Sequence, residues 1–261
     1  MARSLVVIHP VIDLRSSPGI VFPKDYSHQD GRETQLLLGE NLLFIEEREE
    51  WLRVGTLEQL HYTTHEGWTP CPGWVHRSEV QEAPPARYTH VVSAPGTLSY
   101  GTLVNPLRHD AEGIRPIPKA PDREQMIVEA RQFLGAPYLW GGRASPIPHT
   151  IASVDCSALV NLLYRAQGIH LPRNAYDQYL TSRPVERLLP ADPLYLAKAS
   201  RINHVILKLD EGNFIEAPET GKTVRLLKWG IDIWEEEGKI RIFDRPHPYT
   251  GYPRTFISPL A

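Results

Sequence analysis

Over residues 1–82 the apolar positions come in short runs, LVVI, GIVF, TQLLLGENLLFIEE, EEWLRVGT and PGWVHRSEV, broken by Gly, Pro and Asp. Runs of that length bounded by turn formers predict short twisted strands, and hence a small all-β module. Residues 83–121 carry EAPPA, APG, NPL and RPIPKAPD. That proline density fixes φ and removes backbone donors, which suits a stiff connector. Within it VVSAPGTLSYGTLV can fold as a hairpin, so a plain linker and a second, degenerate β module both stay open.

From Asp122 the period turns helical. Asp122 with Gln125 three residues on predicts an N-cap with its reciprocal partner, and Met126, Ile127, Ala130, Phe133 and Leu134 fall on one face before Gly135. A second helix is predicted from about Cys156 to Gln167, with Leu159, Leu162, Leu163 and Ala166 inward and Gly168 as the stop. NHVILKLD, NFIEA, TVRLL and KIRIF then read as strands, so helices precede a sheet expected to be antiparallel, an α+β arrangement. The tail RPHPYTGYPRTFISPLA is too rich in proline for a helix and is expected to wrap the surface.

Composition narrows the partners more than the fold. The 261 residues, 41% hydrophobic and 23% charged, are enough for two modest domains. A formal charge of -3 gives no electrostatic reason to expect nucleic acid or an anionic membrane. The LVVI run before His9 and Pro10 is too short for a signal-peptide core or a membrane span, so a cytoplasmic monomer is expected. In a reducing compartment the two cysteines, Cys71 and Cys156, read as a buried thiol and a working thiol. His61 and His65 stand four apart in HYTTHEGW, among β and turn formers, and read as loop residues rather than ligands; no metal or cofactor is expected.

Cys156 has the setting of a nucleophile. With Asp155 at the cap and Cys156 in the first turn, the thiol faces unpaired N–H groups and the positive end of the helix dipole, which favours thiolate. A cysteine on a helix is more often a small buried apolar residue, and its partners decide between the two readings. His204 opens the apolar strand of RINHVILKL, and Glu216 lies inside NFIEAP. DEGN between them is a turn signal, so a hairpin is predicted. A carboxylate between Ile215 and Ala217 is costly to bury unless a cation or hydrogen-bond donor meets it, and an imidazolium would serve. Because side chains alternate, His204 and Glu216 share a face only in the right register.

The series RETQLLLGENLLFIEEREEWLRV and GWVHRSEV resembles a bacterial SH3 domain over roughly residues 5–82. GAPYLWGG, DCSALV, LPRNAYDQY, NHVILKL and NFIEAP together resemble the NlpC/P60 family of papain-like cysteine peptidases, over roughly residues 122–245. The resemblance implies an SH3-like barrel at 1–82, a linker or degenerate second unit at 83–121, and a papain-like NlpC/P60 domain, helices packed on an antiparallel sheet, at 122–261. It implies Cys156 as nucleophile, His204 as base and Glu216 at a third polar position often held by histidine. Tyr138 matches a tyrosine whose hydroxyl helps bind the oxyanion.

In SH3-bearing relatives, positions matching Asp155 and Ser157 contact the free amine of the substrate, and Glu33 corresponds to an acidic residue used there. Cys71 stands where such modules carry an aromatic wall, Ala175 replaces a serine, and RASPIPHTIASV lengthens the loop before the cysteine. The implied activity is cleavage of the γ-D-glutamyl–diamino acid bond in peptidoglycan stem peptides with a free N-terminal L-alanine, as in cell-wall recycling. The alternatives are an exported hydrolase of intact wall and an inactive wall-peptide binder.

Overall fold

The computed structural model describes residues 3–257 apart from residues 24, 27–30, 86, 95, 108 and 110. Alternation builds the first unit: in VIDLR every second side chain is buried, and the chain continues as seven strands. These are β1 (Ser4–Val7), β2 (Val11–Arg15), β3 (Arg32–Leu37), β4 (Asn41–Arg48), β5 (Trp51–Thr63), β6 (Gly67–His76) and β7 (Val80–Glu82). They form one antiparallel sheet in the order β3-β2-β6-β5-β4-β1-β7. Leu5, Ile12, Leu14, Leu36, Leu42, Leu52, Val54 and Val75 fill its core, with Cys71 among them.

His61 lies within β5, not in a loop, because β5 and β6 run on as a long hairpin past an irregularity between Thr56 and Leu60. His65 is in the turn that closes it.

Residues between 83 and 121 do more than connect. β8 (His90–Val92), β9 (Leu103–Val104) and β10 (Ile114–Pro116) form a three-stranded antiparallel sheet. Val91, Tyr100 and Leu103 enter the same core as Met126, Phe133, Leu159 and Leu163. Helix α1 (Arg123–Ala130) starts at Asp122, whose side chain accepts from the Gln125 N–H at 2.9 Å. The reciprocal half of the cap is missing: Gln125 bonds Glu129, and the Asp122 N–H goes to Gln167. Glu129 is buried on the predicted apolar face, where Tyr100 and Arg115 both bond its carboxylate, and Leu134, past the end of α1, is exposed.

Helix α2 (Cys156–Arg165) buries nearly all its length, and α3 (Ala175–Thr181) follows from LPRNAYDQY. The remaining strands are β11 (Arg183–Pro184), β12 (Pro193–Lys198), β13 (Arg201–Lys208), β14 (Asn213–Glu216), β15 (Arg225–Lys228), β16 (Ile233–Glu236), β17 (Lys239–Ile242) and β18 (Thr250–Thr255). Six make a sheet in the order β11-β18-β12-β13-β14-β15, and β16 pairs β17. The helices cover one face of the sheet through Val205, Leu207 and Ile215, and Leu196, Ile206 and Phe214 form a separate cluster with Ile233 and Ile242. The architecture is α+β. The proline-bearing tail is not a surface wrap: Thr250–Thr255 is β18, paired with β12, and residues 258–261 lie outside the described residues. Pro253 sits opposite Leu194 in that ladder.

Buried charge joins the first unit to the rest. Arg143 donates to Glu40 at 2.7 Å and to Asn161 at 2.7 Å, and Arg165 pairs with Glu58. The lengthened loop is part of this seam: Gln35 accepts from the Arg143 N–H and donates to the Ile151 carbonyl at 2.8 Å.

Candidate active site

The chain enters α2 through extended backbone at Asp155, whose Oδ1 accepts from the Ala158 N–H at 2.9 Å. This satisfies one of the unpaired amides of the first turn and sets Cys156 as its first residue. Cys156 is partly exposed and packs against the main core. The backbone N–H of Val205, the residue after His204, acts on its thiol, and the start of α2 lies against β13.

The hairpin predicted from DEGN is present as β13 and β14, with Leu207 opposite Ile215 and Lys208 opposite Phe214. Continuing that register puts Glu216 opposite Ile206, two residues from His204 and on its face. Arg225 on β15 is directly opposite Glu216. The pairing of β12 with β13 shifts register between Leu196 and Ala197, so Asn203 is the extra residue beside His204. A bulge at that point re-aims the strand next to the site.

His204 Nε2 lies 2.7 Å from Glu216 Oε2, and both side chains are buried. An ionised carboxylate only accepts, so Nε2 carries the proton and Nδ1 is the nitrogen free to take one. Burial lowers the His204 pKa; the bond to Glu216 works against this, and the charges of Arg245 and Arg225 add to it. Burial opposes ionisation of Glu216, yet the bonds and charges of His204, Arg245 and Arg225 hold its carboxyl at about 2. The resting pair is a neutral imidazole on a carboxylate.

The thiol departs from the expected thiolate. Burial pushes Cys156 up to about 12, and the adjacent Asp155 carboxylate adds to the rise; the Val205 N–H, Arg173 and the Ser157 N–H only partly compensate. Two or three oriented amides do not outweigh desolvation beside a negative charge. Cys156 therefore rests as a protonated thiol. Tyr138 is buried close enough to feel the charges of Cys156 and Asp155, and burial raises its pKa, so its hydroxyl remains a donor. Its N–H donates to the Lys222 carbonyl at 2.8 Å, and it bridges Val154 just before the cap.

Asp155 and Ser157 sit at the helix start with their polar groups engaged. Arg173 donates to Asp155 Oδ2 at 2.6 Å and Oδ1 at 3.1 Å, and to Ser157 Oγ at 3.0 Å. Ser157 donates to Asp155 Oδ1 at 3.0 Å. Glu33 on β3 keeps an exposed side chain. Partial desolvation raises its pKa against the charges of His61 and Arg173. Cys71 is a buried free thiol, pushed up to about 12 by burial, and it feels Arg173, Glu33 and Asp177.

Sequence reasoning missed Arg173, Arg225, Arg245 and Asp244. Arg173 stands in the quoted LPRNAYDQY, and the cost of burying Glu216 was the available signal for the other cations.

A family model described as the NlpC/P60 family matches residues 135–240, which contain the cysteine, the histidine, the glutamate and the tyrosine. Over these residues the chain is similar to the NlpC/P60 family. The γ-D-glutamyl-L-lysine dipeptidyl-peptidase of Bacillus subtilis is 27% identical over 241 residues, covering 78% of this chain and 78% of that protein. An enzyme of the same description from Bacillus cereus is 22% identical, covering 78% and 73%. The crystal structure of an NlpC/P60 family protein from Bacillus cereus shares the fold with a TM-score of 0.76 at 19% identity, covering 98% of this chain and 100% of that one.

Proposed function

We propose that this protein is an NlpC/P60 cysteine endopeptidase that hydrolyses the γ-D-glutamyl–diamino acid bond of peptidoglycan stem peptides with a free N-terminal L-alanine. The reading is carried by the thiol of Cys156 held against the strand of His204, with Glu216 locking the imidazole at 2.7 Å. His204 Nδ1 takes the thiol proton as Cys156 attacks the carbonyl, and later gives it to the leaving amine. Tyr138 and the backbone N–H of Cys156 face the developing oxyanion. Water, with its proton taken by His204, then releases the acyl group from sulfur.

In this reading residues 4–82 are an SH3-like module that closes one end of the cleft, and Glu33 meets the substrate ammonium. The names of the Bacillus relatives, matched over most of both chains, support the bond and the substrate class.

The test is mass spectrometry of L-Ala-γ-D-Glu-diaminopimelate incubated with the full chain. Wild-type protein is expected to release L-Ala-D-Glu, and Cys156→Ala none. The N-acetylated tripeptide is expected to survive, and digestion of intact sacculi would point to the wall itself as substrate. An untouched free tripeptide overturns the proposal.

A further inference from the structure

Glu216 is bonded on every side. Arg225 Nε and Nη2 donate to its Oε1 at 2.9 and 2.7 Å, and Arg245 Nη2 donates to its Oε2 at 2.9 Å, the oxygen that also takes His204. A carboxylate has about four acceptor sites, and here four donors fill them. Arg245 Nη2 also lies 3.3 Å from His204 Nε2; two donors that share one acceptor stand at that separation.

Behind this layer Asp244 takes both terminal nitrogens of Arg225 at 2.8 Å and Lys222 Nζ at 2.6 Å. Lys222 in turn offers the carbonyl that holds the Tyr138 N–H. One cluster thus braces the base on one side and the candidate oxyanion donor on the other. Resting on the peptidase reading above, we propose that Arg245 and Arg225 are positioning residues: they fix Glu216 as an acceptor for His204 Nε2–H and so present Nδ1 to Cys156. They let a glutamate serve at the third polar position of this chain.

The charged groups that act on His204 are Glu216 from β14, Arg225 from β15 and Arg245 from the segment between β17 and β18; Asp244 from that segment pairs with Arg225, and the Cys156 thiol lies by the backbone of the next residue, Val205. Arg245 is the cation bonded to the oxygen that serves His204, and its own Nε is buried without a partner. Removing that charge leaves Glu216 freer to attract a proton to the imidazole. The need for a neutral base then moves the acid limb of kcat/KM to higher pH.

The experiment pairs kinetics on the tripeptide with 15N NMR of histidine-labelled full chain, His204 being assigned by its absence in His204→Gln. The wild type is expected to show the Nε2–H tautomer with a midpoint below 6.5. Arg245→Met is expected to lose about 100-fold in kcat with little change in KM, and to raise both the acid limb and the NMR midpoint. Arg245→Lys should return the limb toward wild type. An Nδ1–H tautomer in the wild type, or an unchanged midpoint in Arg245→Met, overturns the proposal. Should Arg245→Met not fold, the wild-type tautomer and midpoint decide alone. Because NMR needs no substrate, it judges the positioning role even if the wild type cleaves nothing, an outcome that would instead defeat the functional reading.

Discussion

Arg173 grips both oxygens of Asp155, at 2.6 and 3.1 Å, with both side chains almost entirely buried. The same arginine donates to Thr34 Oγ1 on β3 at 2.7 Å, and its N–H donates to the Leu60 carbonyl of β5 at 3.0 Å. One residue therefore neutralises the cap of α2 and pins the first unit to it. Arg173→Met leaves a buried carboxylate unpaired, a change that typically costs about 3–5 kcal/mol. Urea unfolding is expected to show a loss of that size, and Asp155→Asn added to Arg173→Met should recover part of it. A loss within about 0.5 kcal/mol would mean the pair is dispensable.

Cys156 is expected to behave as a protonated thiol in the free enzyme. Its carbamidomethylation by iodoacetamide should climb about tenfold per pH unit through pH 9. A rate already flat at pH 6 would show a preformed thiolate and contradict the burial argument. Cys156→Ser should fold normally and lose hydrolysis, since a hydroxyl is much harder to ionise there.

Tyr138→Phe removes one hydroxyl and keeps the ring in the core. If that hydroxyl serves the oxyanion, kcat falls by about 10²–10³ with KM nearly constant, the cost of losing one such donor. Circular dichroism and the unfolding midpoint should stay near wild type. A drop under about threefold would remove Tyr138 from the chemistry.

Acid should unfold the protein through Glu216. Its folded pKa is depressed from 4.5 to about 2, so its contribution is fully present above 4.5 and is lost as pH falls through the folded value. By linkage the amount is on the order of 3 kcal/mol. His204, lowered from 6.5 by burial, acts in the same direction as pH drops below 6.5. Glu216→Gln should be less stable than wild type at pH 7 and show a flatter decline between pH 5 and 3. A wild-type curve level across that range would count against the clamp.

Local chemistry made much of this legible. Turn formers between short apolar runs marked the strands of the first unit, and helical spacing with Asp155 and Gly168 at the ends marked α2. DEGN foretold the β13–β14 hairpin because a turn needs only neighbouring residues. The odd Glu216 between Ile215 and Ala217 announced a buried charge in want of a partner. What pattern could not supply was the identity of partners distant along the chain. Arg225 and Arg245 reach Glu216 only because β15 pairs β14 and the segment after β17 folds back across them.

The protonation state of Cys156 belongs to the same class. Sequence places a cysteine at a helix start and the dipole argues for thiolate, but desolvation depends on everything packed around the sulfur. His61 was misplaced for a related reason, since HYTTHEGW holds turn residues and only its pairing with β6 extends β5 past them. The chain itself determined which residue types stand near each turn and cap, through forces acting over a few residues. Tertiary structure alone decided which charges meet and how much water they keep, because those depend on strand register and burial.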